Sequence, residues 1–163
     1  MTISRRRFLL SVSLMGLGAA ALGPGRVALA AEGDFPFTLT DAEWQARLSP
    51  EAYRVLRHED TERPFTSPLN EEKRAGIFHC AGCDQALFES DKKYDSGTGW
   101  PSFWDHIPGA IGSKQDNTLW LPRTEVHCSN CGGHQGHVFE DGPPPTGLRY
   151  CINGLSLRFE PAA

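Results

Sequence analysis

Past its first 31 residues the chain has no surplus of basic charge. It holds 16 Lys and Arg against 20 Asp and Glu, and the opening stretch takes four arginines and no acid, leaving 12 against 20, or −8. An acidic body lacks the cations that neutralise phosphates, which argues against a nucleic-acid partner. Helical periodicity is missing beyond about residue 64, and there is no internal repeat apart from two Cys-x-x-Cys units. No cysteine follows the N-terminal apolar stretch, so lipid attachment there is excluded. Nor is there a sixth cysteine: five is an odd number, and paired chemistry leaves at least one thiol over.

What is present begins with an address. Ser4-Arg5-Arg6-Arg7-Phe8-Leu9-Leu10 leads into an apolar stretch to Gly25, interrupted by Gly16, Gly18, Gly23 and Pro24. Ala28-Leu29-Ala30 then supplies a small-x-small cleavage pattern, with Ala31 as the new N-terminus. Paired arginines directly before Phe-Leu resemble a twin-arginine export signal. The alternative is a membrane anchor, since the stretch approaches the ~18 residues a span needs, but its glycines and proline weaken a helix. The expectation is a signal peptide over 1–30, a linker over 31–36, a periplasmic protein and no stable membrane insertion after cleavage. The twin-arginine route carries folded proteins, so a metal site can fill in the reducing cytoplasm before export.

The remaining chain reads as one β-rich domain under a small helical cover. Hydrophobic residues make up 39% and charged residues 22%, the balance of a soluble globular protein. Thr40-Asp41-Ala42-Glu43 is a capping box opening a short helix. Ser49-Pro50 starts a second, which continues from Glu51 to His58 with Tyr53 and Leu56 on one side and is ended by Arg63-Pro64. Gly76–His79, Ala86–Glu89, Thr118–Leu121, Thr124–His127, His137–Glu140, Leu148–Ile152 and Leu155–Phe159 read as short strands between turn signals.

Cys80-Ala81-Gly82-Cys83 and Cys128-Ser129-Asn130-Cys131 can each aim two sulfurs at one ion, and together give the closed four-thiolate tetrahedron of structural zinc. The 44 residues between the pairs exceed a compact zinc ribbon, so the intervening segment belongs to the fold. Two disulfides or a redox-active Cys-x-x-Cys are the rival readings; disulfides across so short a loop stabilise little.

The fifth cysteine, Cys151, lies in a strand whose alternation puts Arg149, Cys151 and Asn153 on one face and Tyr150 and Ile152 on the other. A guanidinium beside a thiol favours the nucleophilic thiolate; an inert buried thiol is the plainer reading. His134 and His137 can supply a proton donor near neutral pH. On a regular strand they face opposite ways, and Gly136 offers a bulge to re-aim one. Their plainer readings are a neighbour of the metal site and a core residue. Trp100 stands on the glycine-rich turn Ser96-Gly97-Thr98-Gly99, as an indole presented to a site or simply as core.

Together these blocks resemble the methionine-R-sulfoxide reductase B family. The matching segments are both Cys-x-x-Cys pairs, Ser96-Gly97-x-Gly99-Trp100-Pro101-Ser102-Phe103, His134-x-Gly136-His137-Val138-Phe139, Asp141-Gly142-Pro143 and Gly147-Leu148-Arg149-Tyr150-Cys151-Ile152-Asn153, within a domain over 37–160. The resemblance implies a mainly β, two-sheet, tent-like fold with one structural zinc on Cys80, Cys83, Cys128 and Cys131. It implies that Cys151 attacks the sulfoxide sulfur of R-configured methionine sulfoxide in oxidised proteins and becomes a sulfenic acid. His137, with His134, would protonate the departing oxygen; Asp141, Arg149 and Asn153 would order the polar cluster; Trp100 and Phe139 would take the methyl. A thioredoxin-like or other thiol reductant would be the partner, and the protein a monomer.

Two positions depart from the family pattern. Thr98 stands where many members carry a resolving cysteine, so a one-cysteine cycle with an external thiol is expected. Asn153-Gly154 replaces a more usual Asn-Ser and is a strong hairpin signal, which sets a turn role for Asn153 against its site role; the site role is preferred. The competing functions are a non-catalytic zinc-ribbon-type binding module, which has no need of Cys151, His137 or Trp100, and an exported thiol-disulfide oxidoreductase working through a Cys-x-x-Cys pair without zinc.

Overall fold

The computed structural model describes residues 33–117 and 122–163. The leader and the expected Thr118–Leu121 strand lie outside the described residues.

Two short helices come first, each started as its sequence directs. Thr40 Oγ1 accepts the Glu43 N–H while the Glu43 carboxylate accepts the Thr40 N–H, and α1 runs Asp41–Arg47. Ser49 Oγ accepts the Ala52 N–H, and α2 runs Pro50–His58. The second helix ends at His58, as its sequence suggested; Glu59 takes a left-handed conformation with φ 55° and turns the chain away before Arg63-Pro64 is reached.

Nine strands follow among the described residues, all paired antiparallel. β1 (Gly76–Cys80), β2 (Ala86–Glu89) and β9 (Leu157–Pro161) form a three-stranded sheet in the order β2-β1-β9. β3 (Lys93–Tyr94), β4 (Ser102–Phe103), β5 (Ile111–Asp116), β6 (Arg123–Cys128), β7 (His134–Phe139) and β8 (Arg149–Ile152) form a six-stranded sheet in the order β3-β4-β8-β7-β6-β5. The fold is therefore mainly β with two sheets and short N-terminal helices, as the sequence suggested. Unexpected were β3, β4 and β5. The first two are only two residues long, and β5, Ile-Gly-Ser-Lys-Gln-Asp, has one apolar residue and no alternation; pairing with β6 makes it a strand.

Asn153-Gly154 is not a two-residue hairpin. A 3-10 turn over Gly154–Ser156 carries the chain from β8 in the large sheet to β9 in the small one. The buried Glu62 carboxylate caps it by accepting the Gly154 and Leu155 N–H groups. Burial pushes that carboxyl's pKa up, and the two N–H donors only partly oppose it.

The core lies between the sheets. Phe78, Leu87 and Phe88 of the small sheet meet Phe103, Val126, Tyr150 and Ile152 of the large one. The Phe88 and Phe103 rings stack at 4.4 Å, and Phe78 meets Phe103 edge-on at 5.0 Å. Each such buried aromatic stabilises by roughly 2–3 kcal/mol. Tyr150 and Ile152 face this core, so the alternation expected of β8 holds and Cys151 points the other way. The helices cap one end through buried Trp44, Val55 and Leu56. Among the described residues no helix is long and apolar enough to cross a membrane.

Candidate active site and metal centre

β1 and the turn after it deliver Cys80 and Cys83; β6 and its turn deliver Cys128 and Cys131. The four Sγ atoms lie within 4.8 Å of one another. Cys80 and Cys131 are 3.7 Å apart and Cys83 and Cys128 3.6 Å. Four sulfurs at about 2.3 Å from one tetrahedral ion have edges of about 3.8 Å, whereas a disulfide needs about 2.05 Å. The donor set and its spacing thus fit one metal ion and do not fit two disulfides. The helical cover clamps both turns: Arg47 Nε donates to the Gly82 carbonyl at 2.6 Å, and an Arg57 guanidinium nitrogen to the Cys131 carbonyl at 3.1 Å.

Cys151 is outside this cluster. On β8 it pairs with Ser102 of β4 and with His137 of β7, and directly opposed residues in antiparallel strands share a face. A cavity of about 100 Å³ opens there, lined by Cys151, His137, Trp100, Phe139, Asn153, Gly136, Thr61 and Arg123. The strand pairing explains how both histidines reach one side. Val126 opposes Gly136 while His127 opposes His134, so Gln135 bulges out and turns its buried side chain to Cys80 Sγ. His134 and His137 then share a face, with ring centroids 5.5 Å apart. Gly136 is required at the crossing, because a Cβ there would stand 2.0 Å from the Cys151 carbonyl oxygen.

Glu125 holds this layer together. Its buried carboxylate accepts Nδ1–H from His127 at 2.9 Å and from His134 at 2.8 Å. Burial alone would raise its pKa; the two histidine bonds together outweigh that and hold it at about 2. His134 Nε2 is left buried and without a partner. His137 donates Nε2–H to Asp116 at 2.8 Å, and Arg123 reaches the same carboxylate at 2.6 Å. Burial lowers the His137 pKa against the pull of Asp116, which makes its imidazolium a stronger acid than a free one.

Further contacts fix the orientation of the remaining side chains. Trp100 Nε1–H donates to the Glu62 carbonyl at 3.1 Å, fixing the indole. Asn153 accepts the Glu62 N–H and donates to the Gln135 carbonyl, both at 3.1 Å, so one amide ties the N-terminal segment to the bulge while bordering the cavity. Arg149 grips Asp141 with two 2.8 Å bonds and lies 4.3 Å over the Phe139 ring. Thr98 Oγ1 is 3.7 Å from Cys151 Sγ.

The structure therefore brings Cys151, His137, Trp100, Phe139 and Asn153 into one cavity, with His134 beside His137 and the Asp141–Arg149 pair at the rim. Sequence reading missed Asp116, Arg123 and Thr61. The first two are opposed in the β5–β6 register, and nothing in the apolar pattern of β5 signals that pairing.

A two-sheet fold fastened by four cysteines, with a fifth opened to a cavity beside a histidine and an indole, defines a thiol enzyme of the oxidoreductase type. The chain belongs to the SelR domain family, whose model matches residues 48–161. It is 55% identical over 123 residues to the peptide methionine sulfoxide reductase MsrB of Agrobacterium fabrum, covering 75% of this chain and 91% of that protein. To proteins of the same name it is 56% identical in Pseudomonas putida (73% and 90% covered) and 54% in Methanosarcina mazei (74% and 86% covered).

Proposed function

We propose that this protein reduces the R epimer of methionine sulfoxide in oxidised proteins, using Cys151 as nucleophile and an external thiol as reductant. The observation that carries the reading is the cavity itself, where a thiol, a histidine acid and an indole converge. The thiolate of Cys151 bonds to the sulfoxide sulfur, and the oxygen takes a proton from His137, held by Asp116. Transfer of the hydroxyl to the Cys151 sulfur breaks the original S–O bond. Methionine leaves, reduced by two electrons, and Cys151 is oxidised to sulfenic acid. Two external thiols then restore the thiol, yielding a disulfide and water. Trp100 and Phe139 supply the apolar wall for the methyl, and His137 takes the oxygen; that division separates the epimers. Asn153, Asp141 and Arg149 order the surroundings.

The one-cysteine cycle draws support from Thr98, which occupies the position 3.7 Å from Cys151 Sγ where a second cysteine would resolve the sulfenic acid. Mass spectrometry of the oxidised enzyme tests it: Cys151 sulfenic acid with the metal retained is expected, and a disulfide from Cys151 to a Cys-x-x-Cys pair with metal loss would overturn it. Zinc on Cys80, Cys83, Cys128 and Cys131, with a structural role only, suits four thiolates that leave no ligand position open. The protein is taken to work as a monomer. The paired arginines and cleavage pattern of residues 1–30 support export by the twin-arginine route to the periplasm.

The test of the activity uses peptides carrying separated R and S sulfoxides, with dithiothreitol as reductant. Reduction of the R peptide alone is expected. No turnover of either epimer by folded, zinc-loaded protein would favour the binding-module reading instead.

A further inference from the structure

Beside the reactive cavity lies a larger one of about 290 Å³, and Trp100 lines both. At its edge Phe65 is 73% exposed, the single large hydrophobic side chain so exposed among the described residues. Its backbone is left-handed, with φ 63°, a conformation that bulky residues adopt only under outside constraint. The constraint comes from the loop that carries Trp100. The Phe65 N–H donates to the Gly99 carbonyl at 2.7 Å, and Asn70 Nδ2 donates to the same oxygen at 3.0 Å. A Cβ on Gly99 would lie 2.8 Å from both the backbone nitrogen and the ring of Phe65. The glycine turn that presents Trp100 is therefore also what permits an aromatic ring to stand in solvent next to it. Core packing does not account for that ring, which belongs to no buried cluster.

The position of the second cavity suggests its occupant. About 100 Å³ at Cys151 admits the end of a methionine sulfoxide side chain, so the polypeptide that bears it must run across the rim. Successive Cα atoms are about 3.8 Å apart, and the larger cavity shares the Trp100 wall, so it is the hollow next to the chain that flanks the sulfoxide. The charges around the larger cavity are of both signs, with Lys73 and Lys93 against Glu71 and Asp95. Lys93 is already turned onto the Asn70 carbonyl at 2.8 Å. A charged neighbour gains little there, and apolar contact surface is supplied by Phe65, Tyr94, Trp100 and Pro101.

We propose that this cavity binds the residue flanking methionine sulfoxide in a polypeptide substrate and, through Phe65, selects an apolar side chain at that position. The inference rests on the sulfoxide-reductase reading and sharpens its substrate class.

The experiment compares kcat/KM for oxidised peptides with leucine or phenylalanine, glycine or glutamate next to the sulfoxide, on either side, and for N-acetylmethionine sulfoxide, which has no flanking residue. Wild type is compared with Phe65→Asn, since asparagine tolerates the left-handed backbone and keeps the loop, and with Phe65→Leu. Wild type is expected to favour an apolar neighbour on one side by about tenfold over glycine. Phe65→Asn is expected to erase that preference, Phe65→Leu to keep most of it, and both to leave the acetylated amino acid unchanged. No apolar preference in wild type, or an equal loss on all substrates in Phe65→Asn, would overturn the proposal while leaving the reductase reading standing. Failure of wild type on every sulfoxide would overturn that reading and the inference with it.

Discussion

Cys80, Cys83, Cys128 and Cys131 face one another across gaps of 3.6 and 3.7 Å, mostly buried and clamped by arginines from the helical cover. Cys151 faces a cavity, half-buried, with a threonine hydroxyl 3.7 Å away and a histidine across the strand pair. The same side chain thus serves two ends, and the difference lies in geometry. Four sulfurs at tetrahedral spacing make a closed ligand set with no room for substrate. One sulfur at the mouth of a cavity is accessible to an electrophile. The bulge links the two regions: Gln135 leans on Cys80 while Gly136 passes over Cys151.

The largest expected effects break the first region. Cys128→Ser removes one of four ligands, and structural zinc contributes about 10–16 kcal/mol of binding free energy, more than the usual total stability of a domain. Metal loss and a fall in melting temperature of at least about 20 °C are expected, visible in zinc content and circular dichroism. Next comes the second region. His137→Ala should lower kcat by about 100- to 10,000-fold with zinc content and melting temperature nearly unchanged, as steady-state kinetics would show. Between the two lies Glu125. Its replacement by alanine strands the imidazole donors of buried His134 and partly buried His127, so a loss of about 2–4 kcal/mol of unfolding free energy is expected in urea titration. If Glu125→Ala were neutral, the layer joining the regions would not be held as described. The smallest effect is at the rim: Asp141 is largely solvent-exposed, so Arg149→Lys should cost under about 1 kcal/mol of stability.

The parts that were legible in sequence are those fixed by local chemistry. The capping box, Ser49-Pro50 and the Cys-x-x-Cys pairs carry their geometry within four residues. Gly136 announced the bulge because only a residue without a side chain lets a strand pass so close to another. What escaped depends on register. Asp116 becomes the partner of His137 because β5 pairs with β6, and β5 itself has no apolar alternation to reveal it. Asn153-Gly154 is the opposite case, a local signal that the tertiary fold overrides. Its local preference is a hairpin, but β8 and β9 belong to different sheets and the buried Glu62 caps a crossing turn instead. The second helix ended at His58 as its sequence suggested, but what stops it is Glu59 in the left-handed conformation rather than Arg63-Pro64.

The central claim is that the reactive thiol and the metal-holding thiols are separate. Zinc content and R-sulfoxide reduction measured on one sample of Cys151→Ser test it most directly. The account predicts about one zinc per chain, as in wild type, and no detectable reduction. Residual activity with zinc retained, or zinc lost together with activity, would contradict it.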